Sequence, residues 1–263
     1  MLVKDFIQVC EALWPASGAD EWDRPGLSVG SLEESLTGVL LCVDVTHEVI
    51  EEAIALGVNL VLSHHPVMLR GVTSVSDQSP KGELLVKAIR AGVAVFSAHT
   101  NADIVEDGVS DTIAKKLGLV DLRPLVTTHG SAGHGRVGRL AKPTNLADLV
   151  ATLTRLIPAT TRGISASASG DTPVEFVALC GGAGDDFIDA AKGASADVYI
   201  TSDLRHHVTQ EAGLPLVDVS HWASESLWLE VAAKQLSTQM PGLKISVSAV
   251  STDPWVFNAG RTK

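Results

Sequence analysis

The chain has 263 residues, a formal charge of −11, 45% hydrophobic but only 4% aromatic residues, and 23 Gly, 3 Cys and 9 His. This composition excludes collagen-like, disordered and disulfide-scaffold classes and leaves a globular enzyme or binding protein with one large or two modest cores. Cys10, Cys42 and Cys180 are widely spaced with no CxxC, so a reduced, cytoplasmic protein is expected rather than a zinc ribbon or a disulfide framework. No apolar run reaches the roughly 18 residues of a membrane helix and no cleavable leader is visible, so no membrane partner is expected. The acidic total argues against nucleic acid as a partner. One basic stretch, Arg123, Arg136, Arg139, Lys142, Arg155 and Arg162, faces a single acid, Asp148.

In chain order, residues 38–44 (GVLLCVD) read as a buried strand. Thr46 follows as an N-cap, Glu48 and Glu51 occupy the first turns of a helix, and Gly57 stops it. Residues 58–63 (VNLVLS) form the next strand, completing a βαβ unit with a right-handed crossover. Residues 81–91 have helical spacing, Gly92 ends them, and 93–97 (VAVFS) are a third strand. Continuous apolar strands separated by helices predict a mostly parallel sheet covered on both faces.

Residues 127–173 carry Gly, Ser, Thr and Pro clusters around one helical stretch, 146–156, and a strand near 163–167. A soft boundary is placed here, giving an N-terminal α/β half, 1–125, and a C-terminal α/β half, 126–263, expected to pack as one unit. The second half repeats the grammar: strand 174–180, glycine turn 181–184, helix to 191, strand 197–201, helix 204–212, strand 216–219 and helix 222–236. The expected class is α/β, two similar halves with mostly parallel mixed sheets flanked by helices.

In open α/β sheets, ligands bind beyond the carboxyl ends of the strands. Asp44, His64-His65-Pro66, the His99-to-Asp103 cluster and His221 with Glu225 all lie at such ends. Adjacent histidines in a regular strand point to opposite faces, so a bend before Pro66 is needed for His64 and His65 to address one site. His221 and Glu225 are four apart at a helix start and share a face. Imidazoles and carboxylates together select a borderline divalent ion such as zinc, iron or manganese. With Asp103 as a further oxygen donor, three histidines and two carboxylates exceed one tetrahedral site with an open position, which favours two ions sharing a carboxylate. Each histidine taken alone is more often a packing or capping residue. For Asp44 and Asp203, capping is the better expectation. His206 and His207 fall in a helix and are read as supporting or substrate-facing residues. Gly181-Gly182-Ala183-Gly184 has the geometry of an anion-binding turn, although close packing explains those glycines equally well. Cys180 reads as a buried small residue, and core or subunit-interface packing is the expectation for every Trp.

Several segments together resemble the Nif-three-like family of dinuclear-metal proteins, often named GTP cyclohydrolase 1 type 2 homologues. They are Trp22-Asp23 with Gly26-Leu27 and Gly30, Ser63-His64-His65-Pro66, His99-Thr100-Asn101 with Asp103, Gly135-Arg136-Val137-Gly138, Cys180 to Gly184, Thr201 to His207, and His221-Trp222-Ala223-Ser224-Glu225. The resemblance spans Trp22 to the Asp253-Pro254-Trp255 tail, with no long insertion, as in the family's short form. It departs at Ser202 and Ser220, where Gly is usual, and at Arg24-Pro25. The resemblance implies two divalent ions held by His64, His65, Asp103, His221 and Glu225, with Glu225 bridging and His99 near the open face. It also implies a homohexamer.

These residues lead to a metal-dependent hydrolase, with His99 as proton shuttle and Arg136 and Arg139 as a cationic strip for an anionic, nucleotide- or phosphate-containing substrate, although surface solvation or subunit contacts explain those arginines equally well. The alternative is a metal-binding hexameric scaffold or regulatory protein without turnover.

Overall fold

The apolar runs become strands, and the helices start and stop at the capping residues. A computed structural model describes residues 1–259. Helix α1 (Val3–Leu13) is followed by β1 (Gly26–Val29) and β2 (Val39–Cys42). Helix α2 (His47–Leu56) begins where the Thr46 side chain accepts from Val49 N at 3.3 Å and ends at Gly57, whose φ of 67° is left-handed. After β3 (Leu60–Ser63), helix α3 (Pro80–Arg90) starts with Ser79 Oγ accepting from Gly82 N at 3.1 Å and with Pro80 in its first turn, where a missing N–H is harmless. β4 (Ala94–Ser97) and the single turn α4 (Thr100–Asp103) follow.

Next come α5 (Val109–Lys116), β5 (Leu119–Thr127), β6 (Gly133–Asn145), α6 (Leu146–Leu156), β7 (Ser165–Ala166) and β8 (Pro173–Ala183). The order continues through α7 (Ile188–Gly193), β9 (Val198–Ser202), α8 (His206–Glu211), β10 (Leu216–Val219), α9 (His221–Gln239) and β11 (Ile245–Val247).

Two compact units result: Met1–Ala102 with Leu229–Thr252, and Asp103–Trp228 with the segment from Asp253. The sheet of the first has the order β1-β4-β3-β2-β11, with β4, β3, β2 and β11 parallel and β1 antiparallel at one edge. Every residue of β2, β3 and β4 is buried, as a sheet covered on both faces requires. Leu40, Val61 and Val95 pack with Val49, Ile50 and Leu85 of the covering helices. Truncating Leu40 to Ala would cost about 2–5 kcal/mol in lost burial and cavity.

The sheet of the second unit is more mixed, in the order β5-β6-β8-β9-β10-β7. Only β8-β9 and β9-β10 are parallel; β5-β6, β6-β8 and β10-β7 are antiparallel. Its core gathers Leu125, Val137, Ala178, Ile188, Tyr199 and Leu216. The parallel strands are those the apolar runs predict. The β5-β6 hairpin is not predicted, because β6 reads GHGRVGRLAKPTN and its glycines look like a loop. They are pairing residues: a Cβ on Gly138 would stand 2.8 Å from Val120 O, and one on Gly133 would meet Val126 O. Strand β5 thus joins the second sheet although it begins before residue 125. β11 joins the first sheet beside β2, with Ile245 opposite Val39, although it lies near the other end of the chain.

Candidate metal centre

In the first unit the bend after β3 brings two adjacent imidazoles together. His64 and His65 keep backbone bonds to β2, His64 N to Cys42 O at 3.0 Å and His65 N to Val43 O at 2.9 Å, while Ser63 Oγ donates back to His65 O at 2.8 Å. Their ring centroids are 5.1 Å apart, and His99, just beyond β4, lies 5.2 Å from His64 and 5.5 Å from His65. One ligand atom from each of the three lies within 4.8 Å of the others.

Each ring is held through Nδ1. His64 Nδ1 lies 3.0 Å from Ala98 O, and because a carbonyl only accepts, Nδ1 carries the proton and Nε2 presents its lone pair. His65 Nδ1 is 2.7 Å from Asp44 Oδ1, whose other oxygen accepts from Thr252 Oγ1 at 2.6 Å. His99 Nδ1 is 2.8 Å from Asp23 Oδ1. The Asp23 carboxylate also accepts from Arg24 N at 2.6 Å, Thr100 N at 3.0 Å and Thr100 Oγ1 at 2.6 Å. Burial opposes its charge, but the hydrogen bonds from His99 and Thr100 prevail and hold its pKa at about 2. Trp22 stands edge-on to His99, with ring centroids 5.8 Å apart.

The second unit repeats the device with a different donor set. His221 opens α9, with Nδ1 2.7 Å from Asp203 Oδ2 and Nε2 3.0 Å from Glu225 Oε1, one turn along the helix. Burial disfavours the imidazolium, yet Glu225 and Asp203 outweigh it and raise the His221 pKa to about 11. The hydrogen bond from His221 lowers that of Asp203 in turn. Asp203 reaches the ring from a left-handed turn, φ 58°, at the end of β9, a conformation Asp tolerates. Glu225 is 3% exposed and is cradled by a glycine. Gly182 has φ 68°, and a Cβ there would lie 2.3 Å from Glu225 Oε1 and 3.1 Å from His221 Nε2. Gly182 N donates to Ser224 Oγ at 3.1 Å, and Ser224 Oγ donates to His221 O at 2.8 Å. Asp103, half-buried at the end of α4, acts with Glu225 on Cys180, whose thiol is pushed up to about 12 by burial first and then by these carboxylates. That thiol is a packing group, not a nucleophile.

Several expectations change. Asp44 and Asp203 orient imidazoles rather than cap helices. The residues 181–184 form no anion turn: the strand continues to Ala183, and Gly181 packs on Val109 while Gly184 packs on the Tyr199 hydroxyl. Arg136 is 3% exposed and its guanidinium is consumed by Asp111 and backbone carbonyls, so it receives no substrate. Arg139 faces Asp121 at 3.4 Å. His206 and His207 are exposed on α8, with ring centroids 5.0 Å apart, and are not among the histidines gathered at strand ends. Trp14 and Trp228 are buried, but Trp22 and Trp255 are more than half exposed. Sequence reasoning passed over Asp23. Its signal was the Trp22-Asp23 segment of the resemblance, which did not point to a histidine 76 residues away.

Imidazole nitrogens fixed by hydrogen bonds on the far side of the ring, together with buried carboxylate oxygen, are the donors a borderline divalent ion selects. The residues present fit such an ion.

The family profile described as Duf34/NIF3 (NGG1p interacting factor 3) matches residues 1–254. The chain belongs to the Duf34/NIF3 family. A Streptomyces coelicolor relative, named GTP cyclohydrolase 1 type 2 homolog, is 39% identical over 265 residues, 96% of this chain and 93% of its own. A Lactococcus lactis relative of the same name is 33% identical and covers 97% and 99% of the two chains. The alignment with a Mycobacterium leprae relative, 29% identical, runs over 370 positions, so that Duf34/NIF3 protein carries inserted residues this short form lacks. Among solved structures, the Staphylococcus aureus protein SA1388 matches with a TM-score of 0.90 at 25% identity, covering 98% of this chain and 99% of its own. A Bacillus cereus protein related to NIF3 matches in fold with a TM-score of 0.92 at 24% identity and the same coverage.

Proposed function

We propose that this Duf34/NIF3 protein is a dinuclear metal-dependent hydrolase of a nucleotide- or phosphate-containing substrate, of the GTP cyclohydrolase 1 type 2 kind. One observation carries the reading: four histidines, His64, His65, His99 and His221, have Nδ1 held by a carboxylate or carbonyl, which orients Nε2 as a donor or proton carrier. The names of the relatives support the substrate class. In this reading His64, His65, Asp103, His221 and Glu225 would hold two divalent ions, zinc, iron or manganese. The ions would supply Lewis-acid polarisation and a more acidic water near neutral pH. Asp44 keeps the His65 ring in place and Asp203 that of His221, so neither ring must reorganise during turnover. His99 moves the proton at Nε2, while Asp23 holds its Nδ1–H and stabilises the imidazolium that forms.

A homohexamer and a cytoplasmic location complete the reading. Three buried free cysteines support a reducing compartment, and among the described residues no helix is long and apolar enough to cross a membrane. The test is metal stoichiometry per chain combined with a screen of GTP, other nucleotides and phosphoesters, with light scattering for the assembly. Turnover should require metal and vanish in Glu225→Gln while the oligomer persists. A metal-free preparation with full activity would overturn the hydrolase. Bound metal with no turnover on any substrate would leave the scaffold role.

A further inference from the structure

The Gly135-Arg136-Val137-Gly138 motif of β6 has no part in the hydrolytic reading, yet it holds a buried guanidinium that ties β6 to α5 and to the loop before it. Arg136 Nε donates to Asp111 Oδ1 at 2.8 Å. Nη1 donates to Gly133 O and Gly135 O, each at 2.8 Å. Nη2 donates to Val105 O at 2.7 Å and, more weakly, to Ile104 O at 3.4 Å. Asp111 completes the clamp: its Oδ2 accepts from Asp107 N at 2.9 Å and from Lys115 Nζ at 2.8 Å. The loop 104–108 is thus tied at Ile104, Val105 and Asp107, the last in a left-handed turn at φ 58°. The motif's first glycine is needed for this arrangement. Gly135 has φ 60°, and a Cβ there would stand 2.7 Å from Leu179 O, so only glycine keeps β6 on β8 while its carbonyl turns to the guanidinium.

The residue immediately before this loop is Asp103. We infer that Arg136 is a positioning residue for the metal centre: by locking the loop 104–108 it fixes where the Asp103 carboxylate stands. The inference rests on the reading of Asp103 as a ligand. Five planar donors suit a cluster of carbonyls that an ammonium cannot serve at once. Arg136→Lys therefore keeps the charge and the pairing with Asp111 but frees the loop.

The experiment titrates Zn2+ into metal-stripped full-length protein against a chromophoric chelator, for wild type, Arg136→Lys, Asp111→Asn and Asp103→Ala. It adds the visible spectrum of the Co2+-loaded forms and urea unfolding of the metal-free forms. Arg136→Lys should weaken one ion by about tenfold or more, the range for residues that orient ligands, and should shift the Co2+ bands in the same direction as Asp103→Ala. Asp111→Asn, which loosens the same clamp, should do so to a smaller extent and serves if the lysine variant does not fold. If Asp103→Ala weakens binding while Arg136→Lys and Asp111→Asn lower only the urea midpoint, the clamp is structural and the inference is wrong. If Asp103→Ala itself leaves both affinities and the spectrum unchanged, Asp103 is not a ligand, and the premise fails together with the inference.

Discussion

The two units solve one problem with different chemistry. In the first, three imidazoles gather beyond the buried parallel strands β3 and β4, and their anchors are a carbonyl, Ala98 O, and two aspartates, Asp44 and Asp23. In the second, one imidazole shares a helix face with the buried Glu225, and a positive-φ glycine makes room for both. The first offers three imidazoles, and the second one imidazole with a buried carboxylate. Holding a ring by Nδ1 is thus independent of sheet type: it needs a strand end and a nearby acceptor, a carbonyl for His64 and a carboxylate for His65, His99 and His221. Glu225, by contrast, is buried against a backbone without a Cβ, that of Gly182.

The sharpest break is on the charged side. Glu225→Gln should remove one or both ions, read by elemental analysis, because an amide neither bridges nor neutralises them. Gly182→Ala should follow. Strain at φ 68° and overlap with Glu225 should together lower the urea-derived stability by roughly 2–4 kcal/mol and reduce metal content. An unperturbed alanine variant would show that the cradle is not tight.

Removing the anchors tests whether the two sides are equivalent. Asp44→Asn and Asp203→Asn should each weaken metal binding by roughly 10–100-fold. The larger loss is expected for Asp44, which Thr252 also fixes, and equal losses would mean that this second bond is immaterial.

The smallest effect concerns acid. Asp23 titrates at about 2 in the folded chain and near 4 when unfolded. Its contribution, about 2 kcal/mol, is fully present above pH 4 and is lost as pH falls through 2. Asp23→Asn lacks it, so the stability curves of wild type and variant should differ near neutrality and converge in acid. Parallel curves would refute the assignment.

The histidines were legible because an imidazole at the end of an apolar strand is conspicuous, and the i, i+4 spacing of His221 and Glu225 survives any helix placement. Asp23 was not, since its partner lies far along the chain and an acid beside an exposed Trp carries no local mark. Arg136 misled for a related reason: six basic residues in one stretch look like a surface, but residues 135–138 of β6 are all buried and Arg136 is paired inside with Asp111 and backbone carbonyls.

The sequence alone determined the parallel strands, the helix caps at Thr46 and Gly57, and the strand-end histidines, because each follows from local periodicity, sterics or spacing. Tertiary structure decided that β5 and β6 pair as a hairpin in the second sheet, that β11 returns to β2, and which acid holds which ring. Those outcomes depend on hydrogen bonds between residues distant along the chain, and no local pattern encodes them.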